Sequence, residues 1–369
     1  MLTSEEQNLY SRHLLLEEVG EKGQLRLKKS RVLVIGAGGL GCPVLQYLTA
    51  AGIGTIGIVD FDTVDKSNLQ RQVLFNYDSI GKNKANEAEK RLSECNPFVN
   101  LNSFPSGINV ENALEIIANF DIIADCTDNY STRFLINDAC VLLNKPLVYS
   151  AIYKFEGQVS VFNYKNGPTY RCLHPEMPKS DSISNCSESG VLGVLPGILG
   201  TLQANEVLKL ALKIGEPLSG KLLIYNSLSN RSTSFNLAKS HPDIYTAIAK
   251  RGYLTKEDYT DSCSVVSHIN EIDLEEFKNS LQKDVQLIDV REKNELPKVN
   301  HLEVLEIPMS ELKERFSEIN PLKDTIVFCK GGSRSRKAIQ ELNELTTITQ
   351  ISSLKNGIDA YIKSEKITQ

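Results

Sequence analysis

The chain has 369 residues, 41% of them hydrophobic and 24% charged, with a formal net charge of -5. That length exceeds one ordinary core and suits two or three domains of about 100 to 200 residues each. The composition is that of a soluble globular protein, and the acidic balance argues against a nucleic-acid partner, whose phosphates would be repelled.

The N-terminal MLTSEEQNLYSRHLLLEE has no basic patch ahead of an apolar run, so no export signal is read there and a cytoplasmic location is expected. From Ser30 to Asp60 the pattern is a strand (RVLVIG), a glycine turn, a helix over Pro43 to Ala51 and a second strand (IGIVD). This βαβ unit predicts a parallel sheet with helices on both faces. Further strands are expected at Ile122 to Cys126, Pro146 to Ser150 and Gly157 to Tyr164, with helices over about Lys82 to Glu94 and Thr132 to Leu143. The sheet is expected to turn antiparallel near its end.

His174 to Ser189 is rich in Pro, Ser, Asp and Asn and reads as a loop carrying one thiol, Cys186. The apolar stretch Val191 to Leu202, broken by Pro196 and three glycines, falls short of the ~20 residues that span a bilayer, so a buried helix and no membrane partner are expected. That helix is expected to end near Ile214 and to lead into a last strand, KLLIYN. A linker is placed at 241–264. Behind it, residues 265–369 read as a small α/β domain with strands LIDV and TIVFC and a helix over about Arg334 to Leu345; NEIDLEEFKNSLQKD reads as an amphipathic surface helix. The expected fold class is therefore α/β: a Rossmann-like nucleotide-binding domain with a mixed sheet over 1–240, then this smaller domain.

Eight cysteines without a C-x-x-C pair argue against a disulfide framework and against zinc. Cys42, Cys95, Cys126 and Cys140 read as packing residues. The chemistry lies elsewhere. Gly36, Gly38, Gly39 and Gly41 sit in GAGGLG between strand and helix, and Asp60 closes the next strand. Glycines let backbone approach phosphate, a helix N-terminus supplies N–H donors, and the acidic side chain accepts ribose hydroxyls. A nicotinamide-dependent oxidoreductase shares that fingerprint, but hydride transfer has no need of the charged and polar residues downstream of it. Arg71 and Lys84 suit a triphosphate, Asn68 and Gln70 can orient it, and Asp128 after a strand can hold magnesium. Asp62, Ser67 and Asn129 complete the expected nucleotide-binding set. In the smaller domain Cys329 ends a strand and precedes KGGSRSR, so backbone N–H groups, a helix N-terminus, Arg334 and Arg336 are expected around its sulfur, where they would stabilise a persulfide.

GAGGLG, DFDTVDKSNLQRQ, CTDN, YRCL and ESGVLGVLPGILGTLQANEVLK together resemble the MoeB/ThiF family of ubiquitin-activating-type adenylyltransferases, over about residues 5 to 237. The resemblance implies ATP with magnesium, a homodimer, and a small ubiquitin-like sulfur-carrier partner ending in Gly-Gly whose terminal carboxylate is adenylated. It implies that Asp60 holds the ribose, that Asn68, Arg71 and Lys84 contact phosphates, that Asp128 carries the metal, and that Arg12 reaches in from the other subunit. Many members bind zinc through two C-x-x-C pairs. Here Thr169 stands where the first such cysteine is expected and Cys172 is alone, so no structural zinc is expected and Cys172 reads as a small buried residue.

CKGGSRSR, with LIDVRE and its Asp289 and Arg291, resembles the rhodanese-like sulfurtransferases over about 265 to 369. That implies a Cys329 persulfide, loaded from thiosulfate or a cysteine desulfurase persulfide, which attacks the acyl-adenylate to give a thiocarboxylate. Cys186 resembles the family's second cysteine, which forms a thioester or resolves an acyl disulfide in some relatives. An adenylating scaffold whose rhodanese-like domain only docks the carrier, and an adenylating dehydratase acting on transfer RNA, are the competing readings.

Overall fold

Four consecutive apolar residues, Val32 to Ile35, with no polar alternation mark a strand buried on both faces. In the computed structural model they form β1 (Arg31–Ile35), where Val32 and Val34 pack into one hydrophobic cluster and Leu33 and Ile35 into another. Each such buried side chain contributes ~1.5–3 kcal/mol relative to exposure. The structure describes residues 1–178, 190–240, 251–256, 259, 270–299, 301–345, 348 and 350–367. It divides into two units, Met1–Ser262 and Cys263–Gln369.

The first unit holds β1, β2 (Thr55–Val59), β3 (Asn100–Phe104), β4 (Ile122–Asp125), β5 (Leu147–Tyr153), β6 (Glu156–Phe162), β7 (Lys221–Asn226) and β8 (Arg231–Asn236). They make one eight-stranded sheet in the order β3-β2-β1-β4-β5-β6-β7-β8. Pairing is parallel from β3 to β5 and antiparallel from β5 to β8, as expected. The chain leaves β1 on one side for β2 and β3 and returns on the other as β4, so a crevice opens at the carboxyl ends of these strands. Their register brings Ile35 level with both Val59 and Asp125, so the turns after β1, β2 and β4 start at one height.

Helices Gly41–Ala51, Lys84–Cys95 and Val194–Leu212 cover one face, and Ala113–Ala118 and Tyr130–Leu142 cover the other. Two strands differ from expectation. KLLIYN is followed by β8, whose six residues are all exposed and lack the alternation that signals a strand, and β3 sits at the opposite edge with only Leu101 buried. Within the stretch expected to be linker, Leu254 and Tyr259 are buried against the first unit. Ser131 Oγ donates to the Tyr259 carbonyl at 2.9 Å, and the Tyr259 hydroxyl lies 3.1 Å from Asp138 Oδ2. Asp138 also takes both prongs of the buried Arg171 at 2.8 and 2.7 Å.

The second unit carries a five-stranded, wholly parallel sheet of β9 (Asn270–Ile272), β10 (Gln286–Asp289), β11 (Val304–Glu306), β12 (Thr325–Phe328) and β13 (Ile351–Leu354), ordered β11-β10-β12-β13-β9. The segment expected as one surface helix is divided. Asn270–Ile272 joins the sheet, and Asp273 then caps the helix Leu274–Ser280 by accepting the N–H groups of Glu275 and Glu276. Of the thiols read as packing residues, Cys42, Cys126 and Cys140 are buried, whereas Cys95 is exposed at the last turn of its helix.

Candidate functional site

A cavity of about 590 Å³ lies at the carboxyl ends of the first unit's parallel strands. It is lined by Gly36, Gly38, Gly39, Asp60, Asp62, Ser67, Asn68, Gln70, Arg71, Lys84, Asp128 and Asn129, so residues far apart along the chain meet at one place; Gly41 and Arg12 are outside the lining. The glycines differ in what they do. Gly36 has φ +95°, and a Cβ there would stand 2.8 Å from the Cys126 carbonyl oxygen. A Cβ on Gly41 would fall 1.9 Å from Gly36 O, so Gly41 permits the helix to start against the turn. Gly38 has only Gln72 Nε2 within reach of a Cβ, at 3.7 Å, and leaves its backbone open to the cavity.

The Asp60 carboxylate accepts the N–H of Ala37 at 2.7 Å and of Asp62 at 2.9 Å, binding the glycine turn to the end of β2. Burial raises the Asp60 acid group above its ordinary value, with Lys84 and these N–H groups opposing. Lys84 is buried, and its Nζ stands 3.0 Å from Asp62 Oδ2. Asn83 caps the same helix and donates its side-chain amide to the carbonyls of Asp60 and Asp62 at 3.0 and 3.2 Å. Asp65 caps the short helix Lys66–Asn68, and Asn68 Oδ1 returns a bond to the Asp65 N–H at 3.1 Å. Arg71 Nη1 donates to Ser67 O at 3.1 Å, which folds its guanidinium back along this helix.

The turn after β4 is held from three sides. Asp125 Oδ1 accepts the N–H and hydroxyl of Thr127 at 2.9 and 2.7 Å, while Arg133 Nη2 donates to Thr127 O at 2.6 Å. Gln203 Nε2, from the long helix beneath, donates to Asp125 O and Val148 O at 2.8 and 2.9 Å. Burial pushes the Asp125 carboxyl up, with Arg133 opposing. Asp128 stands exposed on this turn with no hydrogen-bond or ion-pair partner among the described residues. Sequence reasoning missed Gln72, Thr127 and Arg133, all in the lining. Arg133 had a signal: it is four residues after Asn129, which caps the helix Tyr130–Leu142, and so returns to the same end of that helix.

In the second unit Cys329 follows β12 and is buried. Its Sγ accepts the Gly332 N–H at 3.1 Å and lies 3.8 Å from Ser335 Oγ, which is bonded to Ser353 Oγ at 2.8 Å. The arginines expected at the sulfur are committed elsewhere, Arg334 to Glu295 and Arg336 to Glu271. Long guanidinium arms find these carboxylates across the fold, which sequence spacing does not reveal. Arg291 and Asp289 form a buried ion pair at 2.7 Å beneath the neighbouring strand end. Cys172, read as buried, is half-buried; its Sγ accepts the N–H groups of Thr169 and Ser240 at 3.3 Å each. Its thiol sits below the ordinary value because these bonds outweigh burial. Cys186 lies outside the described residues. No cluster of three or more His, Cys, Asp or Glu side chains suited to a metal, and no helix long and apolar enough to cross a membrane, occurs among the described residues.

The ThiF family model matches residues 10–246, and a rhodanese-like domain model matches 273–364. The adenylyltransferase and sulfurtransferase MOCS3 of Mus musculus is 37% identical over 375 residues, covering 94% of this chain and 82% of that protein. The sulfur carrier protein adenylyltransferase of Thermus thermophilus is 51% identical over 231 residues, 61% of this chain and 85% of that protein. Among solved structures, E. coli MccB with MccA-N7isoASN superposes with a TM-score of 0.56 at 25% identity, covering 63% of this chain and 73% of that one. E. coli MccB with ATP, at 24% identity and TM-score 0.55 over 63% and 72% of the two chains, shares the fold. The chain belongs to the ThiF family and carries a rhodanese-like domain behind the ThiF fold.

Proposed function

We propose that the protein adenylates the C-terminal Gly-Gly carboxylate of a ubiquitin-like sulfur carrier with ATP and then delivers sulfur to it from a Cys329 persulfide. The observation that carries this is the cavity in which the open Gly38 backbone, Lys84, Arg71 and Asp128 converge, in a chain whose relatives are named adenylyltransferase and sulfurtransferase.

In this reading a carrier carboxylate oxygen attacks the α-phosphorus, and the bond to the bridging oxygen breaks. Pyrophosphate leaves with the electron pair. No protein nucleophile is needed, so rate comes from positioning and from charge meeting the growing phosphate anion. Asp60 receives the ribose hydroxyls, and Gly38, Gly39, Asn68, Gln70, Arg71 and Lys84 receive the phosphates, with Asp62, Ser67 and Asn129 framing them. Asp128, an exposed carboxylate with no competing partner among the described residues, suits a hard, oxygen-seeking cation. Magnesium bound there would neutralise phosphate charge. Arg12, exposed on the helix Ser11–Leu14, acts in the site of a second copy in a homodimer.

The outer sulfur of the Cys329 persulfide then attacks the acyl carbonyl and AMP departs, leaving an acyl disulfide. Cys186 attacks the Cys329 sulfur, which frees the thiocarboxylate and forms a disulfide that a dithiol reductant reopens. The protein works in the cytoplasm without nucleic acid, membrane or structural zinc. The test is ATP–pyrophosphate exchange with a carrier ending in Gly-Gly and with one lacking the last glycine. Exchange only with the intact tail is expected; equal exchange with both would refute carboxylate activation. Mixing Arg12→Ala with Asp128→Ala subunits is expected to regain part of the activity each lacks alone, and no regain would reject the shared site.

A further inference from the structure

Outside the nucleotide cavity, the run that follows Cys329 in the second unit is rich in positive charge. The thiol is buried, and the residues after it include the cations Lys330, Arg334 and Arg336. Lys330 is exposed to water, where screening leaves a point charge little hold on an anion. Arg336 lies 3.5 Å from Glu271 Oε1 with half its side chain exposed. Arg334 is held far more firmly. Both of its terminal nitrogens meet Glu295, Nη1 against Oε1 and Nη2 at 2.8 Å from Oε2, with the two side chains only 23% and 27% exposed. This two-pronged pairing occupies the donors a guanidinium would offer to an oxyanion.

Glu295 is not a loose surface acid. Its Oε1 also accepts the Glu292 N–H at 2.9 Å, and Glu292 in turn binds the Ser310 hydroxyl at 2.9 Å. On the other side, Arg291 donates to Pro297 O at 2.9 Å while Asp289 grips it. The segment is pinned before and after Glu295, so the carboxylate meets Arg334 already oriented and little rotamer freedom is lost in pairing.

We infer that Glu295 sets the donor selectivity of the Cys329 site by occupying Arg334, the residue beside Ser335 whose Oγ lies 3.8 Å from Cys329 Sγ, which denies that guanidinium to small oxyanion sulfur donors such as thiosulfate. This rests on the sulfur-transfer reading above and adds how that site chooses among donors. Loading from thiosulfate is balanced without a further reagent. The Cys329 thiolate attacks the outer sulfur, the S–S bond of thiosulfate breaks, and sulfite leaves with the bonding pair. In the native loop the incoming dianion meets a neutralised ion pair instead of a free guanidinium, so the attraction that would favour it is missing.

The test uses the full chain, with thiosulfate and cysteine persulfide as alternative donors, following sulfite release and the mass of persulfidated Cys329. Glu295→Gln keeps the shape and the acceptor for Glu292 but removes the charge. Its KM for thiosulfate is expected to fall about tenfold, the worth of one freed charged contact, with kcat little changed. Loading from cysteine persulfide should stay the same, and Arg334→Ala added to Glu295→Gln should erase the gain. An unchanged thiosulfate KM in Glu295→Gln, or a gain that survives Arg334→Ala, overturns the inference and leaves sulfur transfer standing. If neither donor loads Cys329 in any of these proteins, the sulfur-transfer reading itself falls and the inference with it.

Discussion

Both units put glycines between a parallel strand and a helix, and the two turns treat the space above them in opposite ways. After β1 the turn stays open: Gly38 faces the cavity, and among the described residues neither Asp128 nor the buried Gln72 Oε1 has a hydrogen-bond partner. After β12 the turn closes over one atom, with Gly332 N–H on the thiol and Arg334 engaged by Glu295. An open turn with uncommitted polar groups is suited to a large polyanion held by many shared contacts. A closed one protects a single reactive sulfur and restricts what reaches it.

The comparison breaks most sharply if the two turns can be separated by mutation. Cys329→Ala is expected to abolish persulfide formation while pyrophosphate exchange continues at the native rate; loss of both activities would show the units are not chemically independent. Arg133→Ala removes the cation that opposes the burial of Asp125 and frees the Thr127 carbonyl. A loss of about 3 kcal/mol in urea unfolding of the first unit is expected, with no change for the second. Asp128→Ala should lower exchange by about 10²–10³-fold yet leave unfolding unaltered, because that side chain is exposed. A matching loss of stability would mean Asp128 holds the turn together.

The smallest effect sharpens the description of the closed turn. Pairing with Arg334 holds the Glu295 acid group down at about 2, from an ordinary 4.5. A depressed folded value means stability that is fully present above about 4.5 and lost as pH falls toward about 2. Both side chains are partly exposed, so the contribution is below ~1 kcal/mol. Thermal unfolding from pH 6 to pH 3, compared with Glu295→Gln, is expected to show a slightly shallower acid decline in the variant. Parallel curves would assign the ion pair no net stabilising effect.

What could be read from sequence was set by locality. The β1 turn is legible because its strand, glycines and helix are adjacent and each has a strong conformational preference. The cavity lining followed from short runs of polar residues placed just after strands. β8 was not legible, since all six of its residues are exposed and carry no period. Nor were Gln203 and Glu295, whose partners lie 78 and 39 residues away; a side chain's reach across a fold leaves no trace in its neighbours. The ion pairs that engage Arg334 and Arg336 were hidden for that reason, because the local run showed the cations and not the carboxylates.

The return of the chain at Leu254 and Tyr259 bears on how the protein can be cut. The family match to the first unit ends at 246, yet Leu254 and Tyr259 are part of its core, and Tyr259 closes over Asp138, which holds the buried Arg171. A truncation at 246 would uncover an apolar groove along Tyr130–Leu142, the helix whose first turn lines the nucleotide cavity through Thr132 and Arg133. A separated first unit that is to fold and catalyse alone therefore has to run past Tyr259, and a protease nick before it would loosen the floor of the active cavity without touching a residue that lines it.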